Sequence, residues 1–243
     1  TKVGELTRVF LVALEARHLY KAPIMNILFQ RRRRVRAGFR VDRGRLTYAD
    51  EKQFLSDPLN ILRLFEEALR TGILIHPDAM RAVAANLDMI DDRVRQDPEA
   101  VRIFLDLLLK HGNPERALRR MNELGVLAAF IPEFAPVVAM MQFNVYHHYT
   151  VDEHLIQSVA ALASIERGEE VEDLPVVSGI MKGKINRRVI YLAVLLHDIG
   201  KGRAEDHSIL GARLARRICT RFNLPVDEIE TIEWLIRNHL VMS

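Results

Sequence analysis

The chain has 243 residues, 49% of them hydrophobic, with a formal charge of +3, a mean hydropathy near zero and one cysteine, Cys219. That balance excludes a low-complexity chain and a disulfide-stapled one, and no apolar run approaches the roughly 18 residues of a membrane span. A single thiol and the lack of a signal-peptide pattern lead to the expectation of a cytoplasmic, globular protein with a sizeable core.

Helical periodicity dominates from the start. Leu6, Val9, Phe10, Ala13 and Leu14 recur at three- and four-residue steps, which predicts a helix between residues 6 and 19. Arg31, Arg32, Arg33, Arg34 and Arg36 follow. They have no aromatic platform or reader motif beside them, so the expectation is a solvated connector, able to contact a nucleotide or an anionic partner, rather than a nucleic-acid surface. Phe39 to Tyr48 alternates around Asp42-Arg43-Gly44, the pattern of a small β-hairpin.

Asp57-Pro58, Asp97-Pro98 and Asn113-Pro114 each set a capping side chain before a proline at the first helical position. The helices they open are expected over 58–70, 98–110 and 114–123, and Pro77-Asp78 leads another over 77–91. Gly72, Gly112 and Gly125 stand where helices should stop. Pro132 and Pro136 mark a break. A long helix is expected from Val151 to about Glu166, then a charged, Gly-rich surface loop over 167–184, then helices over 187–197, 206–221 and 226–240. The reading is an all-α fold with one hairpin. It divides into a helical linker domain, 1–138, and a histidine-rich domain, 139–243.

Six of the nine histidines lie at or after residue 147: His147, His148, His154, His197, His207 and His239. The sharpest stretch is His197-Asp198-Ile199-Gly200-Lys201-Gly202, delivered by an apolar helix and followed by glycines that let the chain turn. A carboxylate buried beside imidazole is costly unless a cation compensates it. The donor set suits a divalent ion, manganese or magnesium, with iron or zinc as alternatives. An antiparallel bundle can bring His154, His207 and His239 to the same place. Such an ion lowers the pKa of bound water and polarises a phosphoryl oxygen. Asp198 can ligate it and orient or deprotonate the water. Lys201 and Arg203 are candidates to neutralise phosphate charge, or simply solvate a helix end.

His154 and His197-Asp198 resemble the first three positions of the HD phosphohydrolase pattern, His…His-Asp…Asp. The stretches Phe143-Asn-Val-Tyr-His-His-Tyr-Thr-Val-Asp-Glu-His154, Leu196-His-Asp-Ile-Gly-Lys-Gly-Arg-Ala-Glu-Asp-His207 and Arg237-Asn-His-Leu-Val-Met-Ser243 are similar to the bifunctional PII uridylyltransferase/uridylyl-removing family. So, upstream, are Ile90-Asp-Asp-Arg-Val-Arg-Gln-Asp-Pro, Ala117-Leu-Arg-Arg-Met-Asn-Glu-Leu-Gly and Ile131-Pro-Glu-Phe. The resemblance implies His154, His197 and Asp198 as metal ligands, His207 and His239 as ligands of a second ion, and His147 beside the site, with His148 a surface residue. It implies that the uridylylated PII protein is the substrate. No paired nucleotidyltransferase aspartates are found, no ACT sensor domains follow, and the family's last metal-binding aspartate would fall beyond His239. The expectation is therefore a middle fragment that carries the uridylyl-removing site without uridylyl transfer. The alternatives are an HD enzyme acting on free nucleotides and an inactive helical interaction module.

Overall fold

The computed structural model describes residues 35–141, 150–169 and 185–241, with Gly179 and Gly183. The expected first helix, the arginines at 31–34, His147, His148 and most of the 167–184 loop lie outside the described residues.

The hairpin forms where the alternation places it. Strands β1 (Phe39–Asp42) and β2 (Arg45–Tyr48) pair antiparallel, with Asp42 opposite Arg45. Arg43 and Gly44 make the two-residue turn, both with positive φ (46° and 75°), as the right-handed strand twist demands. Buried Leu46 is held by a strap at 74–76: it donates to the Leu74 carbonyl at 2.8 Å and accepts from the His76 amide at 2.7 Å. Tyr48 stacks on Phe54 at 5.3 Å, closing the hairpin over the short helix α1 (Glu51–Phe54).

Further helices follow: α2 (Leu59–Thr71), α3 (Pro77–Ala85), α4 (Asp92–Gln96), α5 (Pro98–Leu109), α6 (Pro114–Glu123) and α7 (Val126–Phe130). Asp97 accepts from Glu99 N and Ala100 N, and Asn113 from Arg116 N, which satisfies donors that a helix start leaves unpaired. The helix expected over 77–91 is instead three pieces. Asn86 turns its amide back onto the Ala82 carbonyl at 2.8 Å and leaves helical geometry, a 3₁₀ turn covers Leu87–Met89, and Asp91 caps a new helix through Arg93 N and Val94 N. Side-chain hydrogen bonds to the backbone compete with helix continuation at both positions.

Beyond a 3₁₀ segment at Pro132–Val137 come α8 (Val151–Arg167), α9 (Arg187–Leu196), α10 (His207–Arg221) and α11 (Val226–Arg237). The last ends three residues earlier than its periodicity suggests. Asn238 directs both its backbone and side-chain N–H groups to the Trp234 carbonyl and closes the helix. α10 and α11 pack as a hairpin, α9 lies against α8 and α11, and α8 lies against α6. The fold is thus mostly helical with one small hairpin, and no helix of the described residues is long and apolar enough to cross a membrane.

One continuous core runs through both halves. Phe222, just past α10, lodges against Phe104 of α5 and Phe130 of α7, with centroids 5.8 and 5.6 Å away, and those two rings lie 5.3 Å from each other. Beside it Arg221 makes two parallel bonds, 2.8 and 2.9 Å, to the Glu133 carboxylate. Each buried aromatic contributes a few kcal/mol through the area it removes from water, so this trio is a strong tie between the halves.

The N-terminal half also holds a buried ionic contact of its own. Glu67 of α2 has no exposed side-chain surface; it accepts from the Arg70 guanidinium at 2.6 and 2.9 Å and from the Arg36 backbone N–H at 2.9 Å. Burial alone would raise its carboxyl, but these donors hold it below the usual carboxylate range. A carboxyl lowered in the folded state stabilises the fold above its unfolded value, and that contribution is lost as pH falls through the folded value. Glu67→Gln is therefore expected to cost about 2 kcal/mol at neutral pH in urea titrations. The difference from wild type should narrow steadily below about pH 4.5; a gap independent of pH would show that the ion pair is not its source.

Candidate metal centre

The carboxylate at the centre is delivered by α9. Asn186 caps this helix through Val189 N, and its buried residues, Val189, Leu192, Leu195 and Leu196, fasten it into the bundle. The chain leaves the helix at His197, and Asp198 follows with only 3% exposure. The turn is then set by a close approach. A Cβ on Gly200 would stand 2.3 Å from the His207 carbonyl oxygen and 2.7 Å from Gly211 N, both backbone atoms of α10. Glycine is needed here so that two stretches of main chain can touch. At Gly202, with φ of +80°, a Cβ would meet the Met140 side chain at 2.0 Å. The sequence offered these glycines as turn-formers; they also set how near α10 comes to the His-Asp turn.

Each remaining imidazole arrives on its own helix. Thr150 precedes α8, whose first turn carries Asp152, Glu153 and His154, with the acids favoured beside the positive helix end. Asp206 caps α10 by accepting from Ser208 N at 2.9 Å and Ile209 N at 3.1 Å, which lowers its carboxyl and presents His207 at the first helical position. His239 follows the end of α11 and is steadied by its own Nδ1, 2.6 Å from the Ile236 carbonyl.

All of these groups surround Asp198. Its Oδ2 lies 3.6 Å from His154 Nε2, 3.5 Å from His197 Nε2 and 2.7 Å from Lys201 Nζ. Its Oδ1 lies 3.8 Å from His207 Nε2 and 3.5 Å from His239 Nε2. Two clusters therefore share the one carboxylate: His154, His197 and Asp198, and Asp198, His207 and His239. Arg203 is exposed on the following loop.

The protonation pattern follows from the partners. His197 Nδ1 is 2.8 Å from the Val194 carbonyl, which can only accept, so the proton sits on Nδ1 of both His197 and His239. Burial pushes the His197 imidazole toward its neutral form. Its Nε2 then presents a bare lone pair toward the carboxylate and toward His154 Nε2, 3.2 Å away. Burial alone would raise the Asp198 carboxyl, but the hydrogen bond and charge of the Lys201 ammonium help hold it below the usual range. Buried Asp198 Oδ1 and His207 Nε2 have no hydrogen-bond partner among the described residues. Unpaired buried acceptors are costly. Lone pairs on nitrogen and oxygen converging on one point form a donor set that a divalent cation fits and a hydrogen-bond network does not.

One set of contacts had no local signal in the sequence. Asn122 of α6 donates to buried Asp152 Oδ2 at 2.8 Å, and Arg119 of α6 pairs with Glu153. The partners are 30 and 34 residues apart, so only the packed bundle brings them together.

Comparison with known proteins bears on this arrangement. Residues 39–130 match the uridylyltransferase GlnD third domain, and residues 151–243 match the HD domain. The chain is 66% identical over its 243 residues to a bifunctional uridylyltransferase/uridylyl-removing enzyme of Ruegeria pomeroyi. It is 64% identical to one of Cereibacter sphaeroides and 48% identical to one of Azospirillum brasilense. It is covered completely in the first two comparisons and to 99% in the third, while spanning only 27%, 26% and 26% of those proteins.

The close approach at Gly200 gives a direct check. Gly200→Ala sets a methyl group against backbone that has no rotamer to change, so it should cost about 3 kcal/mol or more in denaturant titrations. Exchange of Gly183, a glycine outside this contact, for alanine should stay within about 0.5 kcal/mol of wild type.

Proposed function

The chain carries the third-domain and HD modules of the bifunctional uridylyltransferase/uridylyl-removing enzymes, and we propose that it bears the uridylyl-removing centre. In this reading it is a metal-dependent hydrolase that cleaves the phosphodiester joining UMP to a tyrosine of the PII nitrogen-signalling protein. The observation that carries the proposal is the convergence of imidazoles from four helix ends on one buried carboxylate, within the HD match. Residues 1–138 would form the helical linker domain and 139–243 the HD domain; the support is that the two matches fall on either side of 131–150. The single thiol accords with a cytoplasmic setting.

His154, His197 and Asp198 would hold one divalent ion, manganese or magnesium before iron or zinc, and Asp198, His207 and His239 a second. Such an ion supplies Lewis acidity, making water a better nucleophile near neutral pH and withdrawing charge from phosphoryl oxygen. The protein's own groups do the rest. Asp198 orients the attacking water and takes its proton on a carboxylate oxygen. Lys201, 2.7 Å from that carboxylate, neutralises charge on the phosphoryl oxygens as the tyrosine oxygen departs. The water oxygen bonds to phosphorus as the phosphorus–tyrosine oxygen bond breaks, the proton held on Asp198 passes to the departing tyrosine oxygen, and UMP and unmodified PII are released.

The test is UMP release from uridylylated PII, followed with the metal content of the same preparation. Asp198→Ala should lower the rate by about a thousandfold with unchanged far-ultraviolet circular dichroism, and Lys201→Ala by roughly a hundredfold. Chelation should abolish release and added manganese restore it. A retained rate in Asp198→Ala would sink the assignment of the site, and hydrolysis of free nucleotides alone would sink the assignment of the substrate.

A further inference from the structure

One feature that the metal centre does not use is a cavity of about 260 Å³ beside α6. Its apolar wall comes from Phe65 and Leu69 of α2 and from Ile73, just before the strap. Its polar wall is a run of side chains on α6: Glu115, Arg116, Arg119, Arg120 and Glu123. Of its three guanidinium groups, two are paired with carboxylates. Arg119 pairs with Glu115 at 2.6 Å and also with Glu153, and Arg120 pairs with Glu123 at 2.8 Å. Arg116 has no carboxylate partner among the described residues. Its Nη2 donates to the Gly72 carbonyl at 3.0 Å, so the guanidinium spans from α6 to the end of α2. Burial, with Arg120 beside it, lowers this guanidinium from its ordinary value. A guanidinium does not lose its proton in a protein, so the relief open to it is a counter-charge from outside.

We infer that this cavity is a binding site for a small organic monoanion, a carboxylate on a compact apolar body. The carboxylate would pair with Arg116 and the body would lie on Phe65, Leu69 and Ile73. The volume suits a ligand smaller than a nucleotide, at the low end of small-molecule pockets. One unmatched positive charge calls for one negative charge, and the apolar wall gives inorganic phosphate nothing to cover. Arg119 in the same wall pairs with Glu153, next to His154, so an occupant would press on the helix that carries one of the site histidines. The inference concerns binding alone and stands independently of the hydrolase reading.

The probe is 3-phenylpropanoate, titrated calorimetrically into the 243-residue chain, with 3-phenylpropanamide and inorganic phosphate as comparisons. The carboxylate should bind and raise the thermal midpoint in a dose-dependent way. The uncharged amide and phosphate should bind at least tenfold more weakly. Arg116→Gln should weaken the carboxylate at least tenfold. Leu74→Glu, at a half-exposed position on the cavity wall, places a built-in anion beside Arg116 and should remove binding without disturbing the core. Both variants are checked for wild-type helical content. Equal binding of carboxylate and amide, unchanged affinity in both variants, or no binding to folded wild type would each overturn the inference.

Discussion

A buried carboxylate surrounded by imidazole lone pairs is the constraint around which the C-terminal half is arranged. Asp198 is 3% exposed, and taking its charge out of water costs several kcal/mol unless positive charge is brought to it. Lys201 supplies part of that charge directly. Four helices meet around it: α8, α9, α10 and α11 each end or begin at this point, and each brings one histidine with it. The carbonyls of Val194 and Ile236 fix two of the rings so that their Nε2 atoms face inward. Helix lengths, caps and the glycine at 200 are all explicable as conditions for this meeting of helix ends.

Much of this was legible in the sequence, for identifiable reasons. Proline after Asp97 and Asn113, the period of the apolar residues, and the turn at Arg43-Gly44 are local codes, and each corresponds to a described element. The histidine cluster was legible because six of the nine histidines fall at or after residue 147 and one of them adjoins an aspartate, and the structure brings His154, His197, Asp198, His207 and His239 together. What was not legible depends on competition or distance. Asn86 and Asn238 end their helices by turning amides back onto carbonyls, a choice that periodicity does not encode. The short helices Glu51–Phe54 and Val126–Phe130 are too brief to show a period. Asn122 with Asp152, and Arg119 with Glu153, meet only because α6 lies along α8.

The two halves are more closely joined than their separate matches to known domains suggest. Arg187 reaches from α9 to Glu166 of α8 and to the Leu109 carbonyl of α5, while Arg221 reaches Glu133. The helix that carries His154 is thus gripped from one side by α6 and from the other by α9. A third domain of this kind does more than space one module from the next: its α6 forms part of the wall against which the metal-centre helix is set.

The Phe104, Phe130 and Phe222 trio has a thermodynamic corollary. Because the ring that follows α10 is embedded in the core of the other half, opening one half leaves the other with an unfilled hollow, and the two are expected to share a single cooperative transition. Free energy gained by occupancy at either end is then distributed over the whole chain. An ion held at Asp198 protects the hairpin at Phe39 as effectively as it protects α11, although the hairpin has no part in holding it.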